Sequence, residues 1–581
     1  MSTYKTEVRD GMKIDWDVPI LMDDGLTLMA DVYRPIAEGR YPAIVSYGPY
    51  GKGLAFQDGY KTAWEIMTRE FPDAVAGTTN QYQNWEVADP EKWVLDGYVC
   101  VRADSRGAGR SPGYLDHNGA RENRDFHDCI EWTAAQPWSN GKVGLNGISY
   151  YASSQWRAAA LQPPHLAAIC VWEGWADYYR DGARHGGMAC SFRKNWQEMQ
   201  VVTVQHGRGE RGPKSRVTGQ LVCGDETLSD EALKNNRADM WANIIGRPLI
   251  DDYYRERTAD LSKVTVPLLS AANWGGQGLH TRGNFEAYGR AGSKQKWLEV
   301  HGGSHWAPFY TDYGVKLQKR FFDHFLKGED NGWDKQPKVL LQVRHPGERF
   351  VERHESEWPL ARTKWTKFYL DNADFTLSGT KQAAPSSVTY GGFSDGVTFL
   401  TAPLENETEL TGPIAAKLFV SSATEDADLF LVVRVFTPDL KEVTFQGALD
   451  SHTPIAQGWL RVSHRKLDEK LTLPYRPYHT HDEEQKLKPG EVYEVDVEVW
   501  PTCIVVPKGH RIALTVRGKD YVYPGEPGEG VETLGKVWTG VGPFRHDDPR
   551  DRPAAVFGGD VTLHAGPDRQ AYLLLPVIPE K

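Results

Sequence analysis

The chain is poor in cysteine. It has six in 581 residues, Cys100, Cys129, Cys170, Cys190, Cys223 and Cys503. They lie far apart, form no Cys-x-x-Cys, and several sit in apolar runs. That fits reduced, buried thiols better than a disulfide framework or a zinc site. No apolar run reaches about 18 residues, so no membrane-spanning helix is expected. The start, Met1 to Glu7, lacks the apolar stretch of a secretory signal. The expectation is a soluble, cytoplasmic protein without a membrane partner. A long basic block is also missing. With 67 Lys and Arg against 78 Asp and Glu, the formal charge is −11, so nucleic acid is not an expected partner. There is no internal repeat and no low-complexity tract. No metal and no organic cofactor is implied, and the sequence leaves a homo-oligomer open.

What remains is globular: 40% hydrophobic and 25% charged residues. The length is too great for one ordinary core, so several domains are expected. The twenty tryptophans suit core packing and an aromatic pocket.

Along the chain, Lys13–Leu21 and Leu26–Tyr33 read as a hairpin around Met22-Asp23-Asp24-Gly25. Tyr41–Tyr47 is a compact strand leading into the loop Gly48-Pro49-Tyr50-Gly51-Lys52-Gly53. Residues 54–95 form a long aromatic insertion, expected to be a lid or to carry short helices. Strands at 94–103 and 166–172, with helices over 125–135 and 152–161, alternate as in a parallel α/β sheet covered on both faces. Residues 175–262 are Arg- and Gly-rich with helical pieces such as Ser229–Ile245, and read as a cap. The sheet resumes at Val266–Ala272. The helix Thr281–Arg290, the strand Lys296–Val300 and the closing helix Gly314–Leu326 follow. From about residue 335, helical periodicity gives way to short β runs, beginning with Val339–Val343, which indicates a β-sandwich or jelly roll. The expected domains are an α/β unit over 1–174 and 263–334, a helical cap over 175–262 and a jelly roll over 335–581.

Lys142-Val143-Gly144-Leu145-Asn146-Gly147-Ile148-Ser149-Tyr150-Tyr151 carries the chemistry. A strand ends near Gly147, Ser149 stands at the apex, and a helix follows. That is the layout of a nucleophile elbow, although the last position of Gly-x-Ser-x-Gly is Tyr151.

Asp104-x-Arg106-Gly107-x-Gly109-x-Ser111, the approach Gln136-Pro137-Trp138-Ser139-Asn140-Gly141, and Gly147-x-Ser149-Tyr150 together resemble the cocaine esterase and X-prolyl dipeptidyl-peptidase family of serine hydrolases. Asp426-Ala427-Asp428-Leu429, Ser463-His464-Arg465 and Pro507-Lys508-Gly509-His510-Arg511 extend the resemblance into the C-terminal half. It implies an α/β-hydrolase domain, an inserted helical cap and a C-terminal jelly roll. It also implies Ser149 as nucleophile and His305, in Gly303-Ser304-His305, as general base. His301 is the rival, more natural in a structural role. The backbone N–H of Tyr150 would be one oxyanion donor. The hydroxyl of Tyr50, in a loop similar to the family's Asn-Pro-Tyr-Asp-Lys, would be the other.

The acid departs from the pattern. Asn273-Trp274-Gly275-Gly276-Gln277 stands where the family has Trp-Tyr-Asp-Gly, and Gly276 occupies the place of Asp. Chain order offers Glu173, at the end of the strand after the elbow; Asp177 is a further candidate. The alternative for Glu173 is a pair with Arg180 or Arg184. The expected activity is hydrolysis of small carboxylic esters through an acyl-enzyme. An X-prolyl-type peptidase, an acylase or amide hydrolase, and an acyltransferase use the same site. For a peptidase, Asp225-Glu226 or Asp251-Asp252 could hold a substrate ammonium. An inactive carbohydrate-binding or scaffold protein is the remoter alternative.

Overall fold

A computed structural model describes residues 4–579. Eleven strands form the first sheet. In order across it they are Lys5–Arg9, Met12–Leu21, Thr27–Arg34, Val99–Asp104, Tyr41–Gly48, Ser139–Ile148, Leu166–Trp172, Leu268–Asn273, Lys296–His301, Val339–His345 and Arg349–Glu355. The middle of this sheet, from Val99–Asp104 through Val339–His345, is parallel. Its strands carry long apolar runs, as in Ala43-Ile44-Val45 and Ala168–Trp172, because both faces are covered: Ala120–Ala134 and Tyr150–Ala160 pack on one, against Val45 and Leu145, and Asp312–Phe322 packs on the other, against Gly144. The carboxyl ends of the parallel strands therefore meet along one edge, and residues just beyond them converge there.

Three local readings are corrected. Val339–His345 is not the first strand of the C-terminal domain. It pairs in parallel with Lys296–His301, and Arg349–Glu355 then pairs with it as an antiparallel edge; the α/β sheet thus runs past residue 335. The segment 94–103 is not all strand. Asp89 accepts a hydrogen bond from the Glu91 N–H and Pro90 sits at the first helical position, so Pro90–Val94 is a short helix and the strand starts at Val99. Ser229–Ile245 is two helices, Asp230–Asn235 and Met240–Ile245, each with its own side-chain cap, Ser229 and Asp239.

The C-terminal strands, from Lys364–Asp371 to Tyr572–Ile578, form one sheet that closes on itself. Thr408–Ser422 pairs with Tyr493–Val506, Asp560–Ala565 and Tyr572–Ile578. Closure leaves the ring itself without open edges, with Ser386–Gly391 outside it against Asp560–Ala565, and encloses a core that includes Leu410, Ile414, Leu431, Val497, Leu514 and Leu573. This domain packs on the α/β sheet through polar as well as apolar contacts. Buried Arg344 donates to the carbonyls of Cys503 (2.9 Å) and Ile455 (3.1 Å) and to Thr502 Oγ1 (2.7 Å). Between the two, the cap is made of short helices and one two-residue hairpin. Among the described residues no helix is long and apolar enough to cross a membrane.

Candidate active site

Ser149 follows Ser139–Ile148 directly. Its backbone is at φ 58°, ψ −110°, a conformation that a non-glycine residue holds only when its surroundings enforce it. The enforcement is visible. The Ser149 N–H lies between the carbonyls of Trp172 (3.2 Å) and Glu173 (3.1 Å), and its carbonyl accepts from Ser153 at 2.7 Å. Gly147 has φ 147°, and a Cβ there would lie 2.4 Å from the Cβ of Tyr151 and 3.1 Å from the Glu86 carbonyl. The glycine missing at position 151 has a counterpart across the sheet. The Tyr151 ring lies over Gly48, where a Cβ would come within 2.6 Å of Tyr151 Cε1.

Tyr150 opens the helix Tyr150–Ala160, so its N–H has no acceptor within the helix. Tyr50 lies two residues beyond the strand Tyr41–Gly48. Its loop is anchored by Lys52, whose N–H donates to Asp104 (2.6 Å) and whose Nζ reaches Asp17 (2.6 Å) and Asp31 (2.8 Å). The Tyr50 oxygen accepts from Trp196 Nε1 at 2.9 Å, which leaves its own proton available. Burial, with Glu86 nearby, holds that phenol protonated well above its ordinary range.

Glu173 sits at φ 51° directly after Trp172. Its carboxylate reaches two histidines, His305 Nδ1 at 2.7 Å and His301 Nε2 at 2.9 Å, and accepts from Asn273 Nδ2 at 3.1 Å. Burial opposes its charge, but the two imidazoles outweigh burial and hold it below the ordinary range. Gly276 has no room for an acid: a Cβ there would stand 2.7 Å from Thr281 Oγ1. Arg180 pairs with Asp177 and Arg184 with Asp551, so neither takes Glu173. His301 is enclosed, with its Nδ1 2.8 Å from Glu299 and its ring stacked on Trp172.

His305 is held from both sides. Its Nδ1 faces Glu173 and its Nε2 lies 2.8 Å from Glu86 Oε1. Its backbone N–H donates to Ala448 of the C-terminal domain at 2.7 Å, and the Ala448 N–H donates to Gly275 at 3.0 Å. Burial works against the charged ring, but Glu173 and Glu86 together push its pKa up to about 10. Glu86 is pushed up to about 6, by burial first, against the pull of His305.

The structure departs from expectation at the serine. Among the described residues, the partner of Ser149 Oγ is His280 Nε2 at 3.1 Å, not His305. The two imidazoles stack at 5.2 Å, 12° from parallel. His280 Nδ1 accepts the backbone N–H of Trp175 at 3.2 Å. A nitrogen that accepts carries no proton, so the proton of the neutral ring is on Nε2 and points at Ser149. Burial, the neighbouring His305 and Arg193 keep His280 well below the ordinary histidine range. Neither His280 nor Glu86 was found from the sequence. His280 has no motif around it, and Glu86 lies in the long insertion, which brings it over the elbow: its carbonyl accepts from Ile148 at 2.9 Å.

Three of the four cap acids are already paired. Asp225 meets Arg110, Asp251 meets Arg247 and Asp252 meets Arg255.

Residues 24–307 match the model of the X-Pro dipeptidyl-peptidase (S15 family), and residues 331–573 match that of the X-Pro dipeptidyl-peptidase C-terminal non-catalytic domain. The chain belongs to the cocaine esterase and X-prolyl dipeptidyl-peptidase family of α/β-hydrolases. A CocE/NonD family hydrolase from Staphylococcus aureus is 30% identical, with a TM-score of 0.84 over 100% of this chain and 97% of that one. The cocaine esterase of a Rhodococcus species is 25% identical, covering 97% of this chain and 98% of its own. A putative Xaa-Pro dipeptidyl-peptidase of Streptomyces avermitilis is also 25% identical, over 89% of this chain and 80% of its own. The family membership accounts for the hydrolase sheet, the cap and the closed C-terminal sheet seen here.

Proposed function

We propose that the protein is a serine hydrolase that cleaves small carboxylic esters through an acyl-enzyme. The observation that carries this reading is Ser149 in its enforced elbow, with the Tyr150 N–H, the Tyr50 hydroxyl loop and a Glu173–His305 pair gathered at the same sheet edge. Ser149 Oγ attacks the ester carbonyl. His305 Nε2 takes its proton, and Glu173 at Nδ1 stabilises the imidazolium that forms. The oxyanion receives the Tyr150 N–H and the Tyr50 hydroxyl. His305 then returns the proton to the leaving alkoxide, and water repeats the sequence to release the acid.

His280 is the nearer ring, but its Nε2 already bears a proton and cannot accept another. In this reading it steadies Oγ at rest, and the hydroxyl turns to His305 when substrate binds. Before acting as base, His305 must release the proton it shares with Glu86. Esters are favoured over N-terminal peptides because Asp225, Asp251 and Asp252, three of the four cap acids considered as an ammonium anchor, are each paired with an arginine. The esterase names among its relatives agree with this.

A fluorophosphonate probe should label wild-type protein at Ser149 and leave Ser149→Ala unlabelled. An ester panel run beside proline-containing amides should give turnover with esters. Failure of the wild type to label would sink the serine mechanism. Faster cleavage of X-proline amides would leave the mechanism standing and replace the substrate class.

A further inference from the structure

Away from the serine, two buried histidines face each other across the contact between cap and C-terminal domain. His185 belongs to the cap hairpin and His546 to the last third of the chain, 361 residues later. Both are 1% exposed, and Cys190, just past the same hairpin, is fully buried. His185 Nδ1 lies 2.8 Å from His546 Nε2. The other nitrogen of each ring is committed. His185 Nε2 lies 3.1 Å from the carbonyl of Asp181, and His546 Nδ1 lies 2.8 Å from Asp520 Oδ1. A carbonyl and an ionised carboxylate only accept, so those nitrogens carry the protons. As neutral rings, His185 and His546 then aim two bare lone pairs at each other inside the protein. That arrangement requires something positive between them.

We propose that His185, Cys190 and His546 form a structural site for one thiophilic transition-metal ion of the zinc class. Their ligand atoms already lie within 4.8 Å of one another. A proton between the rings would also relieve the lone pairs, but it gives no role to the thiol beside them. The outer contacts are those of a metal site, in which a ligating histidine donates its second N–H to a carboxylate or a backbone carbonyl. Metal–nitrogen bonds of about 2.0–2.1 Å at a tetrahedral centre need the two nitrogens roughly 3.3 Å apart. Small rotations of the rings suffice. Uptake displaces the Cys190 proton, and the thiolate with Asp520 balances a divalent ion. The His185 ring stacks on Trp459 at 4.7 Å, which fixes its direction. The bound ion would join cap to C-terminal domain beside the Arg184–Asp551 pair.

The test uses the untagged full-length protein, grown in zinc- or cobalt-supplemented medium. Elemental analysis should find close to one equivalent of metal. The cobalt form should show a thiolate-to-cobalt charge-transfer band and tetrahedral visible bands. Cys190→Ser, nearly isosteric, should lose the charge-transfer band while keeping the wild-type circular dichroism. His546→Ala should lose the metal, and Asp520→Asn should weaken binding by roughly 10–100-fold. Wild-type protein carrying essentially no metal from either medium would overturn the proposal in favour of a shared proton. So would cobalt spectra that Cys190→Ser and His546→Ala leave unchanged.

Discussion

Glu173 Oε2 lies 2.7 Å from His305 Nδ1, and it comes from the strand next to the elbow, not from the turn after Leu268–Asn273. Glu173→Gln keeps the size of the side chain and removes the charge proposed to stabilise the imidazolium. kcat for a chromogenic ester should fall by about 10²–10⁴, with the thermal unfolding curve still cooperative. Turnover within a few-fold of wild type would make Glu173 a structural partner of His301 alone.

The stacked pair His280 and His305 separates by mutation. His305→Ala removes the proposed proton acceptor and should lower kcat by about five to six orders of magnitude. His280→Ala removes one donor to Ser149 and should cost about ten- to a hundredfold. Steady-state kinetics on both variants decides the assignment, and the reverse ranking would make His280 the base.

The proton shared by His305 and Glu86 sets a pH dependence. Glu86→Gln removes one of the two carboxylates that raise His305, so the acidic limb of kcat/KM should move to lower pH. An unmoved limb would detach Glu86 from the titration. Stability follows the same groups with a definite sign. The ordinary histidine value of 6.5 rises to about 9 in His301 and to about 10 in His305. Their stabilisation is thus complete below about pH 6.5 and declines as pH rises through those two values. Tm should accordingly fall between pH 7 and pH 10, and a flat profile over that range would contradict the ion pairs.

Gly48 and Tyr151 form a packing pair. Gly48→Ala drives a methyl against the Tyr151 ring and should cost about 1–3 kcal/mol. Combining it with Tyr151→Ala should recover part of that loss. A double-mutant cycle from denaturant unfolding checks the coupling. Strict additivity would show that the ring and the glycine are independent.

Much of this was legible in the chain. The apolar strands, the elbow and the Gly48–Lys52 loop are local patterns, and Glu173 could be nominated because it ends a strand whose place in the sheet is fixed by order. The pairing of Glu173 with two histidines, by contrast, joins residues 128 and 132 positions apart. Glu86 and His280 have no local signature at all. Their positions depend on how a long insertion and a turn fold over the elbow. Val339–His345 misled for a related reason, since a strand's composition does not say which of two adjoining sheets it joins. The His185–His546 contact is longer-range still.

The backbone bond from His305 to Ala448 has a consequence for how the chain can be divided. The loop that carries the proposed base is tethered to the domain whose family counterpart is called non-catalytic. Cutting the polypeptide after the α/β sheet would leave that loop without its tether. In a denaturant titration, ester turnover should disappear with the unfolding of the C-terminal sheet even where the hydrolase sheet persists.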